Sequence, residues 1–216
     1  MKVALIGATG FVGSHLLKEL LSRGYDVTAI ARSVDKITEK SDKLKTRCVN
    51  VMDTTALAKV FKGNDVVLSA YNPGWSNPNI YEDFLKGYAS IENAVKESGV
   101  KRFFVIGGAG SLYIDGKQLI DGPDFPAEIK AGATAARDYL NILKKDTDLD
   151  WTYFSPAIEM HQGITIGRTG KYRLGLDNPV FDANGHSVLS VEDLSIAVVD
   201  ELENHNYSQK RFTAAY

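Results

Sequence analysis

Three glycines spaced three apart, Gly7, Gly10 and Gly13, stand where an apolar run turns helical in "MKVALIGATGFVGSHLL". Such a junction constrains the fold more than any other stretch of the chain. Gly7 lets the backbone leave a strand sharply, because glycine adopts φ angles that other residues avoid. At Gly10 the missing side chain lets a phosphate approach the main chain, and Gly13 allows a helix to lie close against the strand. The first turn of that helix then offers unpaired N–H groups and a partial positive charge to an anion. This strand–turn–helix context, within a βαβ unit, predicts a dinucleotide pyrophosphate site.

Downstream, strand-like and helical runs alternate, which predicts a parallel sheet covered on both faces. Strands are expected at Val3–Ile6, Val27–Ala31, Arg47–Val51, Asp65–Ala70, Arg102–Ile106 and Trp151–Ser155, with "RFTAAY" closing the sheet. Helices are expected at Phe11–Arg23, from a Thr54 cap to Gly63, and at Ile80–Glu97 and Ala127–Lys145. Ser190 with Asp193 resembles a capping box for a last helix ending near Glu203. Between the fifth strand and the next helix lies "GGAGSLYIDGKQLIDGPDFP". It is longer than an ordinary connection and is read as a binding loop. The alternation weakens after Pro156. The expectation is therefore an α/β, Rossmann-like doubly wound parallel sheet over residues 1–216, with residues from about 156 forming a small C-terminal substrate lobe.

With 216 residues, 44% hydrophobic and 24% charged, the chain has the composition of an ordinary globular domain. A net charge of −2 without a run of Lys or Arg argues against nucleic acid as a partner. No apolar run is long enough to span a bilayer. The single cysteine, Cys48, excludes an internal disulfide framework and suits a reducing, cytoplasmic location; "TRCVNV" reads as a buried strand in which it packs. A small-molecule substrate and a monomer or homodimer are expected. No His, Cys or carboxylate set has metal-ligand spacing, and no G-x-S-x-G nucleophile turn occurs.

The end of the second strand bears on cofactor choice. NAD sites place Asp or Glu there, to accept hydrogen bonds from the ribose hydroxyls. Here the run is "AIARS", so Arg32 and Ser33 occupy that place. An arginine there pairs with the 2′-phosphate of NADP, with Lys36 in support; a solvated surface arginine is the competing reading, and NAD stays possible. Asp53, just after the third strand, is placed either to reach the adenine or to cap the following helix.

The spacing "GATGFVG", together with "VIGGAGSLYI", "LDWTYFSPA", "RTGKYRLG" and "RFTAAY", resembles the atypical short-chain dehydrogenase/reductases over nearly the whole chain. The likeness is to small NAD(P)-binding proteins known as NADH-flavin reductases or NAD-dependent epimerase/dehydratase-like proteins, with NmrA-like and biliverdin-reductase-B-like relatives. This resemblance implies a cofactor path. Gly7, Thr9, Gly10, Phe11 and Val12 would line the pyrophosphate, with Arg32 at the adenosine ribose or its phosphate and Asp53 at the adenine. Ser69, Ala70 and Tyr71 would run beside the nicotinamide ribose. Gly107, Gly108 and Ala109 follow the fifth strand, and Ser155, Pro156 and Ala157 would approach the nicotinamide.

The larger superfamily performs acid–base chemistry with Tyr-x-x-x-Lys on one helical face, where the ammonium depresses the phenol pKa. Among the ten tyrosines one formal match occurs, Tyr113 with Lys117, and its interior "IDG" is unsuited to a helix. On the helix expected to carry the pair, Lys130 is present, but Pro126 stands four residues before it and Tyr139 reads as packing. Without the phenol, hydride transfer to a flavin or quinone is favoured, because such an acceptor draws its proton from water. Tyr71, Trp75, Tyr81 and Tyr113 are rings available to stack on a planar substrate or to tie loops down. Ser111 and Tyr113 are the catalytic candidates, Ser111 as donor to a substrate carbonyl. Arg168 and Lys171 read either as anion contacts or as a solvated turn. An epimerase or dehydratase and a non-catalytic NAD(P) redox sensor are the alternatives.

Overall fold

Strands covered on both faces need apolar residues on both faces, and the central runs supply them. The computed structural model describes residues 1–216. Its strands are β1 (Lys2–Ile6), β2 (Asp26–Ala31), β3 (Leu44–Cys48), β4 (Val66–Ser69), β5 (Arg102–Ile106), β6 (Tyr113–Ile114), β7 (Lys117–Gln118), β8 (Asp150–Ser155), β9 (Arg173–Gly175) and β10 (Lys210–Ala215). The helices are α1 (Phe11–Ser22), α2 (Thr54–Phe61), α3 (Ile80–Ser98), α4 (Ala127–Leu143) and α5 (Val191–Asn204). Eight strands form one sheet in the order β3-β2-β1-β4-β5-β8-β10-β9, parallel except for β9 at the end. The direction of winding reverses between β1 and β4, where Ile6 pairs with Ser69. This is the doubly wound, Rossmann-like architecture, and ligands of such sheets sit beyond the carboxyl ends of the strands at that reversal.

Alternate residues of each strand serve two cores. Val3, Leu5, Leu68, Phe104 and Phe154 pack with α1 and α5, whereas Ala4, Ile6, Val67, Phe103 and Tyr153 pack with α2, α3 and α4. Each core holds 23 buried residues, so neither face of the sheet is left open. Helix boundaries fall within two residues of those expected, and the Ser190 Oγ cap accepts from Asp193 N at 3.1 Å.

Three sequence expectations change. The third strand lies at Leu44–Cys48, earlier than "RCVNV", because β3 is the terminal strand and pairs with β2 in a register that sets Ala31 opposite Cys48. As an edge strand it leaves Lys45, Thr46, Arg47 and Cys48 exposed, so Cys48 is not a core residue; its thiol donates to Arg32 O at 3.2 Å. Val51 takes the buried place instead, against Leu57 and Phe61. Thr54 does not cap α2: Asp53 does, its Oδ1 accepting Ala56 N at 2.9 Å, while Thr54 Oγ1 meets Ser90 Oγ. Within the glycine-rich stretch, Asp115 (φ 49°) and Gly116 (φ 78°) form the tight turn of a β6–β7 hairpin.

The segment after β8 is held to the body by buried carboxylates. Asp193 is fully buried and accepts from Thr169 N at 2.9 Å, Gly170 N at 2.8 Å, and the Thr169 and Tyr216 hydroxyls. Burial alone pushes its pKa up, but these donors outweigh that and hold it below the usual carboxylate value. Glu19, equally buried, behaves likewise through Arg168 and Arg23. Because the folded values are depressed, both carboxylates contribute stability that is complete above about pH 5 and is lost progressively as pH falls through the unfolded and then the folded values. Melting temperature followed against pH should therefore fall steeply below that point. Asp193→Asn should flatten the fall; an unchanged profile would show that this carboxylate does not hold the turn.

Candidate nucleotide site and crevice

The turn after β1 is built for close approach. Gly7 has φ +76°, and a Cβ there would lie 2.6 Å from Ala70 O. A Cβ on Gly13 would stand 2.0 Å from Gly7 O, which pins α1 to the strand end. Gly10 is different. Its φ of −77° suits any residue, and its nearest neighbour to a Cβ would be Gly7 O at 3.3 Å. The chain's own packing thus asks much less for glycine at this position than at the other two; a ligand approaching the helix end would ask for it.

Gly10 is the N-cap of α1, no side chain caps it, and no acidic residue lies in the first turn. The amides of Phe11, Val12 and Gly13 find no acceptor in the chain. Nearly every helix start is satisfied by a side chain, water or a ligand, and this one faces the carboxyl end of the sheet as a ready anion site. A Gly-rich turn, free amides and the winding reversal coincide, so the residues present fit a dinucleotide pyrophosphate.

Residues of the implied path gather along this sheet edge. Thr9 and Val12 are half-buried beside Gly10, and Arg32 is exposed just past β2, without an ion-pair partner within 4.0 Å. Ser69 is fully buried at the end of β4; its hydroxyl donates to the Tyr88 hydroxyl at 3.3 Å and accepts from Tyr71 N. Ala70 abuts Gly7. The Tyr71 phenol donates to Asp83 O at 3.1 Å, and burial, reinforced by Asp83, pushes its pKa up to about 12. Gly107, Gly108 and Ala109 leave β5 half-buried; a Cβ on Gly107 would fall inside the ring of Tyr153, whose hydroxyl donates to Ala136 O. Ser155, Pro156 and Ala157 are buried at the end of β8. Asp53 lies at the same edge, with one oxygen engaged in capping α2.

The catalytic candidates stand differently from expectation. Ser111 is 1% exposed, and its hydroxyl is engaged within the chain by Gly108 O, Ser155 Oγ at 3.3 Å and Arg211 Nη1 at 3.2 Å. It is a structural linker between two strand ends, not an accessible donor, because burial has given its hydroxyl internal partners. Tyr113 pairs with Gln118 and Ile114 with Lys117, so Tyr113 and Lys117 occupy neighbouring rungs and point to opposite faces of the hairpin. That separates phenol from ammonium. Tyr139 packs as expected, 1% exposed and stacked on Tyr88 at 4.4 Å. Pro126 is the N-cap of α4 and Lys130 is exposed in its first turn. Arg168 is neither a free anion contact nor a merely solvated turn: it pairs with buried Glu19.

Sequence reasoning missed Arg211. Its side chain is 1% exposed, and it donates to Ser111 O at 2.8 Å and through Nε to Asp177 Oδ1 at 3.0 Å, with its guanidinium 5.7 Å from the Tyr113 ring centre. The backbones of Tyr113 and Asp177 are also joined, N to O, at 2.8 Å. Arg211 therefore ties the glycine-rich stretch and the loop after β9 to β10. The available signal was a lone arginine inside "RFTAAY", an apolar strand with no other reason to hold a cation.

Residues 7–205 match the family model described as NAD(P)H-binding. The Bacillus subtilis protein YwnB, itself uncharacterized, is 34% identical over 216 residues, which is 99% of this chain and 97% of that protein. The crystal structure of a candidate epimerase from Bacteroides thetaiotaomicron superposes with a TM-score of 0.92 at 45% identity, covering 100% of this chain and 96% of the other. A candidate NADH-flavin reductase from Streptococcus pneumoniae gives 0.84 at 33% identity, covering 100% and 99%. No helix is long and apolar enough to cross a membrane.

Proposed function

Since the chain belongs to the NAD(P)H-binding family, we propose that it is an NADPH-dependent reductase of a small planar acceptor, such as a flavin or quinone. The observation that carries this reading is the uncapped start of α1 behind Gly10, at the reversal of the sheet. Bound nicotinamide supplies a hydride, and the acceptor receives it as an electron sink. The chain's part is to bind and orient. The amides of Phe11, Val12 and Gly13 hold the bridging phosphates, Arg32 pairs with the 2′-phosphate, and the segments at Ser69–Tyr71, Gly107–Ala109 and Ser155–Ala157 bound the nicotinamide half. The candidate NADH-flavin reductase among the similar structures supports this choice of acceptor.

Absence of a phenol–ammonium pair on α4 supports an acceptor that needs no positioned acid. It also supports a second reading, a redox sensor that binds NADPH without turnover. Epimerisation, the activity named for the Bacteroides relative, needs a positioned acid–base pair, and the β6–β7 hairpin separates the Tyr113 phenol from the Lys117 ammonium. Oxidation of NADPH at 340 nm (a wavelength set by the nicotinamide itself) with flavins and quinones tests the proposal. Turnover supports it; tight NADPH binding with no turnover on any such acceptor overturns it in favour of the sensor.

Arg32 sets the cofactor. Arg32→Ala should weaken NADPH binding by about tenfold or more while leaving NADH nearly unchanged, the scale of one charge-assisted phosphate contact. Equal effects on the two coenzymes, measured by calorimetry, would refute the 2′-phosphate role.

A further inference from the structure

Of the four rings available to stack on a planar substrate, Tyr71, Trp75, Tyr81 and Tyr113, three are engaged. Tyr71 donates to Asp83 O and lies against Gly87, where a Cβ would come 2.3 Å from its ring. Tyr81 donates to Asp138 at 2.9 Å, and Tyr113 lies over Arg211. Trp75 is the exception. At 58% exposure it is the most exposed of the large hydrophobic side chains in the chain. A tryptophan serving only to anchor its loop would bury that surface, since removing a large apolar side chain from water is favourable.

Its loop is nevertheless well held. Gly74, at φ +113°, makes the turn before it, with Gly74 N donating to Asn72 Oδ1 at 2.7 Å. Asn77 N donates to Gly74 O at 3.0 Å, and Asn77 Nδ2 to Asp83 at 2.8 Å. One edge of the indole is seated on α4: a Cβ on Gly132 would lie 2.7 Å from Trp75 Cζ3. The next residue, Ala133, faces the loop after β5, where a Cβ on Gly110 would stand 3.4 Å from it. Trp75 and that loop thus flank the same point of α4, beyond the carboxyl ends of β4 and β5. A rigidly seated ring with most of its surface open is pre-organised for stacking, which avoids the entropy of ordering a mobile side chain on binding.

We propose that Trp75 is the stacking platform for the planar acceptor and that Gly132 is the seat that sets its position. This rests on the reductase reading and specifies its acceptor side. Trp151, the only other tryptophan, is 3% exposed and shielded from contact quenching, so the part of a quenching signal that Trp75→Phe removes reports on Trp75. Titration of the wild-type protein with riboflavin, and separately with menadione, should give saturable quenching. Trp75→Phe, which leaves Trp151 alone, should lose most of that saturable quenching and keep only the part due to energy transfer from Trp151.

In turnover, Trp75→Ala should raise the acceptor KM by about tenfold, the scale of one lost aromatic stack, and leave the NADPH KM unchanged. Trp75→Phe should restore the acceptor KM to within about threefold, and Gly132→Ala, which displaces the indole without removing it, should fall between the two. An acceptor KM unmoved by Trp75→Ala in an active enzyme overturns the platform and leaves the reductase standing. Saturable quenching of Trp75 without any turnover upholds the platform and sinks the reductase. No saturable quenching in the wild type overturns the platform outright.

Discussion

Gly10→Asp should abolish dinucleotide binding while leaving the fold intact. The backbone at Gly10 is extended, with φ −77° and ψ 171°, the conformation of an ordinary N-cap. Aspartate is among the preferred residues there, and its carboxylate would accept from the free amides of the first turn. The tight 3.3 Å approach of the new Cβ to Gly7 O opposes that gain, so stability should stay within about 1 kcal/mol of wild type. The same carboxylate fills the anion site with a negative charge. NADPH affinity should drop by at least about two orders of magnitude, from lost charge-assisted hydrogen bonds and added repulsion. Calorimetric binding beside a thermal melt separates the two effects. A variant that folds and still binds NADPH as the wild type does would remove the pyrophosphate from the head of α1, and with it the whole functional reading.

Arg211→Met should be the most destabilising single change outside the apolar core, costing about 3 kcal/mol. The guanidinium is buried, and its loss leaves Ser111 O with only the longer bond from Gln118 Nε2 at 3.2 Å and takes one partner from the Ser111 hydroxyl. Asp177 suffers less, because its side chain is 63% exposed and water can solvate it. Arg211→Lys should recover only part of the loss, since one ammonium cannot reach Ser111 and Asp177 in the forked geometry of arginine. Urea unfolding measures both variants. A loss below about 1 kcal/mol for the methionine variant would show that the two loops hold to β10 without this arginine.

Residues whose role depends on near neighbours in the chain could be read directly. The glycine turn, the strands Val3–Ile6 and Arg102–Ile106, the helix at Ile80–Ser98 and the Ser190 cap all follow from apolar period, propensity and capping, which act within one or two turns. Cys48 could not be read this way: "TRCVNV" has the pattern of a buried strand, and only the strand order makes it an edge. Tyr113 and Lys117 have helical spacing, yet the Asp-Gly pair between them, unsuited to a helix, makes a hairpin turn; there the local signal sufficed.

Local chemistry along the chain was sufficient for the class of fold and for a glycine turn that opens into a helix at its start, because glycine geometry and helix ends depend on neighbouring residues alone. Long-range assembly settled the rest. Ser111 lies 100 positions from Arg211 and Glu19 lies 149 from Arg168, and neither partnership leaves a periodic trace. Whether a hydroxyl is free to react or is already bonded, and whether an indole is open or covered, depends on which distant segments the sheet brings to its carboxyl edge.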